Sequence, residues 1–248
     1  MSLTLRQKSI LSAIIREYID SADPVGSKEL IEKLKLKISG ATIRNEMMAL
    51  EKLGYIFQPH TSAGRIPTDL GYRYFIETLM PKRKMSEKEQ KDLQLEFLKL
   101  KAKHRRLSKV VSKLLSEMSD GLALTGFANE EVTDSGMPKL LSQPEFSNLS
   151  EIQQLTTCLE KFEENPKKAS KKLTGKELDI YIGKNNPLMK LDNCTTIVSS
   201  FKTKDNKKGF IMLIGPKRMK YAKNISLLKY ITKLLSGAFA VIIFAKMF

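Results

Sequence analysis

Polar side chains that can bind nucleic acid gather in two short stretches of residues 27–65. The stretch SGATIRN (Ser39–Asn45) combines small residues with a guanidinium and an amide, and the stretch HTSAGR (His60–Arg65) holds an imidazole, two hydroxyls and a second guanidinium. Such groups donate hydrogen bonds to phosphate oxygens and to base edges. The candidate DNA-binding residues are Ser27, Lys28, Ser39, Ala41, Thr42, Arg44, Asn45, His60, Thr61, Ser62 and Arg65.

The first stretch is predicted to open a helix that starts at Ser39-Gly40, runs to about Leu53 and ends at Gly54. Ile43, Glu46, Met47, Leu50 and Leu53 fall on one side, and Ala41, Asn45, Met48 and Lys52 fall on the other, with Arg44 at the edge. Small residues near its start allow a close approach to base edges, and Arg and Asn have the bidentate geometry for guanine and adenine. A three-helix bundle with a merely solvated outer face is the alternative.

The second stretch is predicted to form the tip of a β-hairpin, with strands at Tyr55–Gln58 and Arg65–Pro67. A hairpin beside a groove-reading helix is typical of a winged helix. Its tip offers several phosphate donors and one cation, Arg65, that could enter the minor groove. A metal-binding role for His60 is not expected, because no partner ligands lie nearby in the sequence.

Three further helices are predicted to support the helix and the hairpin that carry these two stretches. Leu3–Asp20 has apolar residues at helical spacing with Thr4 as its N-cap. Ser27 is predicted to cap a short helix, Lys28–Lys35, whose start would hold phosphate through Ser27 and Lys28. Thr68 is predicted to cap a third helix, Asp69–Leu79.

The composition favours an anionic partner but does not locate its site. The 248 residues have a formal net charge of +16, yet residues 161–248 alone hold 19 Lys or Arg against 6 Asp or Glu. A Lys bias from an AT-rich coding sequence is the less favoured explanation of the charge, and the two are compatible. The two cysteines, Cys158 and Cys194, form no disulfide framework or zinc spacing, and no signal peptide or long apolar span is visible, so we expect a cytoplasmic protein with no membrane association, metal or cofactor.

Residues 3–80 closely resemble the N-terminal domain of the heat-inducible transcription repressor HrcA family. The blocks PVGSK, SGATIRNEM, LEKLGY, QPHTSAGRIPT and GYRYF follow one another at the spacing of that family. The resemblance implies a homodimeric repressor that binds double-stranded DNA at an inverted-repeat operator, CIRCE, upstream of chaperone genes. It also implies that a GroEL-type chaperonin is a partner that activates the repressor.

The remainder of the chain resembles the family less evenly. Residues 81–120 are predicted to form linker helices, whose basic segment Lys99–Arg106 could reach phosphate or face solvent. GLALT (Gly121–Thr125) resembles the first strand of a GAF-like domain, but LLSQPEF (Leu140–Phe146) follows it almost at once, where the family places a second strand, helices and an inserted dimerisation subdomain. The predicted fold class is α+β: a winged helix-turn-helix domain (1–80), linker helices, and a shortened GAF-like regulatory and dimerisation domain (121–248).

Two features of the second half leave alternatives open. Lys217, Arg218 and Lys220 follow a Gly-Pro pair at a strand-to-helix junction, which fits either an anion site or a helix start with solvated basic residues. The apolar tail after Ser236 could be a strand, a subunit contact or an aggregation-prone end.

The sequence bears on three function classes. A DNA-binding repressor is favoured by the motifs. A winged-helix protein-interaction module that has lost operator binding is the alternative. An enzyme with a regulatory winged helix is disfavoured, because no phosphate loop, nucleophile–base pair or metal cluster is present in the sequence.

Overall fold

The computed structural model describes residues 3–34, 39–104, 106–127, 131–164, 178–188, 191–203 and 206–237. The apolar tail falls outside these ranges beyond Gly237. The chain divides into two units, Met1–Lys82 and Arg83–Phe248.

The first unit is built from short helices and a two-stranded hairpin. Its elements are α1 (Leu5–Ser21), α2 (Ser27–Leu34), α3 (Gly40–Lys52), β1 (Ile56–Phe57), β2 (Ile66–Pro67), α4 (Asp69–Tyr74) and a π-helical continuation of α4 (Phe75–Leu79). In the antiparallel hairpin, Ile56 pairs with Pro67 and Phe57 with Ile66.

Side-chain caps fix where these helices begin. Thr4 caps α1 in a reciprocal capping box with Gln7, and Thr68 caps α4 by accepting from the Gly71 N–H at 3.1 Å. Both caps confirm the sequence predictions. The prediction that Ser27 caps α2 is wrong, because Ser27 is already helical and the Gly26 carbonyl accepts from the Leu30 N–H.

The core of the first unit lies between α1, α2, α3 and β1. Its fully buried side chains include Ile10, Leu11, Ile14, Ile15, Leu30, Ile43, Leu50 and Ile56. Leu53, which the periodicity assigned to the inward side of the third helix, is 39% exposed. The helix ends at Lys52, and Leu53 is its C-cap residue at the edge of the core.

The second unit is an antiparallel sheet covered by helices. Its elements are α5 (Glu87–Lys103), α6 (Leu107–Met118), β3 (Leu122–Phe127), β4 (Thr133–Ser135), α7 (Met137–Leu141), a 3-10 turn (Pro144–Phe146), α8 (Leu149–Glu164), β5 (Asp179–Ile182), a 3-10 turn (Gly183–Asn185), β6 (Cys194–Lys202), β7 (Lys208–Pro216) and α9 (Tyr221–Leu235). The strand order is β4-β3-β7-β6-β5.

Alternation along the strands gives the sheet two buried faces. Leu124, Met212 and Val198 are cross-strand neighbours on one face, where they pack with residues of α7 and α8. Ser199 lies on the other face and accepts a hydrogen bond from Thr232 of α9 at 2.9 Å. Helix α6 packs against β3 and β4, and the Gln94 amide of α5 donates to the Tyr230 hydroxyl of α9 at 2.6 Å.

One expected boundary in the second half differs in the structure. The helices predicted as a linker, α5 and α6, belong to the second unit, which begins at Arg83. A three-residue strand, β4, lies between GLALT and LLSQPEF, and its Asp134 pairs with Leu124. That the family's inserted subdomain is missing at this point stays a prediction.

Candidate nucleic-acid interface

The start of α3 is fixed by its own hydroxyl groups. The Ser39 Oγ accepts from the Thr42 N–H at 3.2 Å and lies 3.0 Å from the Thr42 Oγ1. Both hydroxyls therefore take part in the helix cap, which fixes the first turn of α3. They also lie near the surface, where a phosphate oxygen can reach them.

The outer face of α3 is a stripe of exposed side chains one helical turn apart. Ala41, Arg44, Asn45 and Met48 are all exposed, whereas Ile43, Met47 and Leu50 of the same helix are buried. Among the described residues, the Arg44 guanidinium and the Asn45 amide make no hydrogen bond or ion pair. The stripe therefore presents two bidentate groups around one small residue, with room for a base-pair edge.

The wing lies directly after α3 in the chain and presents a polar tip. His60, Thr61 and Ser62 are exposed, the His60 Nδ1 lies 3.2 Å from the Ser62 Oγ, and the Ala63 N–H donates to the His60 carbonyl at 2.9 Å. This turn leaves the hydroxyl of Thr61 and the outer imidazole nitrogen of His60 facing solvent, as phosphate donors require.

Arg65 is paired within the fold of the winged unit. Its Nε donates to the Glu51 carboxylate of α3 at 2.9 Å, and its side chain is only 16% exposed. Its backbone exchanges two hydrogen bonds with Val25, at 3.0 and 2.9 Å. The guanidinium is therefore not free, because a carboxylate that the sequence pattern did not connect to it holds it at the base of the wing. A DNA contact by Arg65 stays a prediction.

Two residues that the sequence analysis did not single out organise the wing. Glu51 accepts hydrogen bonds from both wing strands, and the Gln58 side chain spans the tip by donating to the Thr61 and Ala63 carbonyls. Both residues lie in sequence blocks that resemble the family, and this was the only sequence feature that marked them. Their residue types did not, because a carboxylate at a helix end and an amide beside a strand are common on protein surfaces.

The start of α2 holds the remaining two candidates. Ser27 is half-buried in the first turn of α2, and Lys28 is exposed beside it. The exposed Lys28 can reach a phosphate as a point charge. Ser27 can offer its hydroxyl to a phosphate at the helix N-terminus, where first-turn N–H groups have no partner within the helix.

The second unit offers no comparable anion site at its basic Gly-Pro junction. The Arg218 Nε donates to Glu145 at 2.6 Å, and its Nη2 donates to Gln143 at 3.0 Å. Lys217 pairs with Asp192 at 3.5 Å. Arg218 thus joins residues 215–219 (GPKRM) to residues 141–146 (LSQPEF) within the unit. Neither of the two alternatives predicted from the sequence, an anion site or solvated basic residues, included this internal pairing.

The described residues contain no group of three or more His, Cys, Asp or Glu side chains that could hold a metal ion. In the same part of the chain, no helix is both long enough and apolar enough to cross a membrane.

Comparison with known proteins bears directly on the winged unit. The model of the family described as "Winged helix-turn-helix transcription repressor, HrcA DNA-binding" matches residues 2–79, and that of the "HrcA protein C terminal domain" matches residues 73–225. The chain belongs to the HrcA family. The HrcA family comprises transcription repressors, so this chain is a heat-inducible transcription repressor with a winged-helix DNA-binding domain and not an enzyme. The family and the α+β fold class predicted from the sequence are confirmed.

Individual HrcA proteins match this chain over very different lengths. The heat-inducible transcription repressor HrcA of Carboxydothermus hydrogenoformans is 28% identical over 338 residues, covering 93% of this chain and 96% of the relative. That alignment is longer than the 248-residue chain and therefore contains gaps opposite residues of the relative. HrcA of Pelotomaculum thermopropionicum is 45% identical over 127 residues, which cover 50% of this chain and 36% of the relative.

A more local match has the highest identity of the three. HrcA of Desulforamulus reducens is 56% identical over 90 residues, which cover 36% of this chain and 26% of that relative. A solved structure described as a hypothetical protein at 2.2 Å resolution has a TM-score of 0.77 at 24% identity, covering 96% of this chain and 99% of that chain. This last likeness shows the fold alone.

Proposed function

We propose that this HrcA-family protein represses chaperone genes by binding, as a homodimer, an inverted-repeat operator of the CIRCE type in the cytoplasm. The observation that carries the proposal is the exposed stripe of α3, where Arg44 and Asn45 stand free beside a polar wing. A helix face with unpaired bidentate groups is what direct readout in the major groove requires.

In this proposal α3 supplies the sequence readout. Arg44 pairs with a guanine and Asn45 with an adenine, while Ala41 lets the helix approach the base edges. Ser39 and Thr42 set the angle of the helix through the cap and take a phosphate at its start.

The wing and α2 supply the grip on the backbone. His60, Thr61 and Ser62 donate to phosphate oxygens from the wing tip, and Ser27 and Lys28 do so from the start of α2. These contacts carry no base preference, but they fix the register of α3 in the groove. Arg65 holds the wing against α3 through its pair with Glu51, and in this proposal its contact with DNA is secondary to that hold.

An inverted repeat is expected because one winged helix reads only a short half-site. Two copies on a palindrome combine their binding energies, which is how such repressors reach useful affinity at physiological salt. We therefore infer a homodimer, formed through the second unit, as the binding species.

The test is fluorescence anisotropy with a labelled CIRCE-type inverted repeat, its isolated half-site and a scrambled duplex, combined with sedimentation to measure the oligomeric state. Arg44→Ala and Asn45→Ala should each lower specific affinity by about 1–3 kcal/mol and relax the preference for one base pair. Lys229→Ala is the matched control for Arg44→Ala, because it removes one positive charge from an exposed site on α9. Specific binding that survives both α3 substitutions would refute the readout and favour the protein-interaction alternative.

Chaperonin modulation is a separate part of the proposal, suggested by the resemblance of the sequence to the family, and has its own test. When unfolded protein occupies the chaperonin, the repressor would lose its activator and the chaperone genes would be released. Adding a GroEL-type chaperonin with ATP to refolded protein should raise the fraction active in operator binding. An unchanged active fraction would count against this part of the proposal alone.

A further inference from the structure

The recognition helix and the wing are joined by a set of side-chain contacts that touch no DNA. We infer that Glu51 is a positioning residue which couples α3 to the wing, so that both reach DNA as one preorganised reader. This inference rests on the proposed function, since it explains how the proposed DNA-contacting elements are held. It assigns a role to Glu51 and Gln58 and reassigns Arg65.

Glu51 lies in the last turns of α3, and each of its carboxylate oxygens accepts from a different wing strand. The Oε1 accepts from the backbone N–H of Gln58, just after β1, at 3.0 Å. The Oε2 accepts from the Arg65 Nε, just before β2, at 2.9 Å. One side chain of the reading helix therefore fixes both sides of the hairpin at its base.

Gln58 extends this hold from the base of the wing to its tip. Its side-chain Nε2 donates to the Thr61 carbonyl at 2.8 Å and to the Ala63 carbonyl at 2.9 Å. Both amide hydrogens are thus used inside the loop. Glu51 holds the Gln58 backbone and Gln58 holds the tip, so the position of His60 and Thr61 is set relative to α3.

The return side of the wing is fixed from a second direction. Arg65 exchanges two backbone hydrogen bonds with Val25, which precedes α2. A Cβ at Gly64 would lie 2.5 Å from the Val25 carbonyl, so the chain can approach this closely only with glycine. The wing is therefore held by both α3 and the segment before α2.

The sign of the charge makes this role distinguishable from ordinary electrostatics. A carboxylate on a DNA-facing helix repels phosphate, so removing it should strengthen non-specific binding. Glu46 provides the comparison, because it lies on the same helix and its ion pair, with Arg6 at 3.4 Å, involves no wing residue. Only a positioning role makes the loss of Glu51 weaken binding while the loss of Glu46 does not.

Preorganisation is the physical reason that such a contact raises affinity. A loop that is ordered before binding loses less conformational freedom when it meets the phosphates. A hairpin with two-residue strands has few backbone hydrogen bonds between its strands and therefore needs other contacts to be ordered before binding.

The experiment compares Glu51→Gln with Glu46→Gln in the whole 248-residue chain on a CIRCE-type inverted repeat. The new amide can accept one of the two hydrogen bonds but turns its NH₂ toward the other donor. We expect Glu51→Gln to bind about tenfold more weakly than Glu46→Gln, since each such contact contributes about a tenfold change. Hydroxyl-radical protection under the wing should be lost, while methylation protection of guanine N7 under α3 is retained. A merely structural role would weaken both protections together.

Equal affinities and equal footprints for the two variants would overturn the inference. If the wild-type protein shows no preference for the inverted repeat, the proposed function fails instead, and the coupling is then measured without DNA. In that measurement, amide hydrogen exchange at Gln58 should accelerate in Glu51→Ala, which removes both acceptor oxygens, but not in Glu46→Ala, and unchanged exchange would refute the coupling. Should Glu51→Gln fail to fold, Gln58→Ala replaces it, because it frees the tip and leaves the Glu51–Arg65 pair in place.

Discussion

Gly64 is the position where a single methyl group should displace the wing. An ideal Cβ there would lie 2.5 Å from both the carbonyl carbon and the oxygen of Val25, and 2.6 Å from the Pro24 carbonyl carbon. These are backbone atoms, so no rotamer change can relieve the overlap. The substitution Gly64→Ala must therefore separate the wing from the segment before α2.

The cost follows from the contacts that separation breaks. Two backbone hydrogen bonds join Val25 and Arg65, at 3.0 and 2.9 Å, and each contributes about 1 kcal/mol. Displacing Arg65 also weakens its partly exposed pair with Glu51, which adds at most about 1 kcal/mol. The total is about 2–3 kcal/mol, which corresponds to a roughly 30- to 160-fold increase in local opening.

Native-state amide hydrogen exchange at Val25 and Arg65 measures that opening directly in the intact protein. The control is Gly26→Ala, because a Cβ at Gly26 meets no atom within 4 Å. Its cost should stay below about 1 kcal/mol, as expected for alanine at an N-cap position. Exchange that is equally fast in the two variants would show that the wing is not packed against the Pro24–Val25 backbone.

Two further predictions concern the second unit. Arg218→Ala should lower the free energy of unfolding of this unit by about 1.5–3 kcal/mol in urea, because it removes charge-assisted hydrogen bonds to the largely buried Glu145. The control, Lys220→Ala at an exposed neighbouring site, should change that free energy by less than about 0.5 kcal/mol. Similar effects of the two substitutions would rule out a structural role for the Arg218 pair. Burial raises the pKa of the Cys194 thiol from 9.0 to about 12, so iodoacetamide at pH 8 should label the half-buried Cys158 and spare Cys194. Because the folded pKa is raised, the neutral thiol's contribution to stability is complete below pH 9 and is lost as the pH rises toward 12; rapid labelling of native Cys194 would contradict its burial.

Local sequence signals predicted the winged unit well because its elements are specified by neighbouring residues. Thr4, Ser39 and Thr68 cap helices through hydrogen bonds to residues three positions away, and Gly54 ends α3 with a φ of +78°. The outward stripe of α3 followed from helical periodicity alone. In contrast, Ser27 was misassigned as a cap because Gly26 beside it can take the same position.

The sequence by itself determined the family, the α+β class and which face of α3 is free, since each depends on residue types at short and regular spacing. Tertiary structure alone decided the partners of the charged side chains. Arg65 and Glu51 are 14 positions apart and Arg218 and Glu145 are 73 apart, and an arginine that binds an anion within the chain has the same local pattern as one that binds phosphate. The difference lies in whether the fold brings a carboxylate within about 3 Å, which no local spacing specifies.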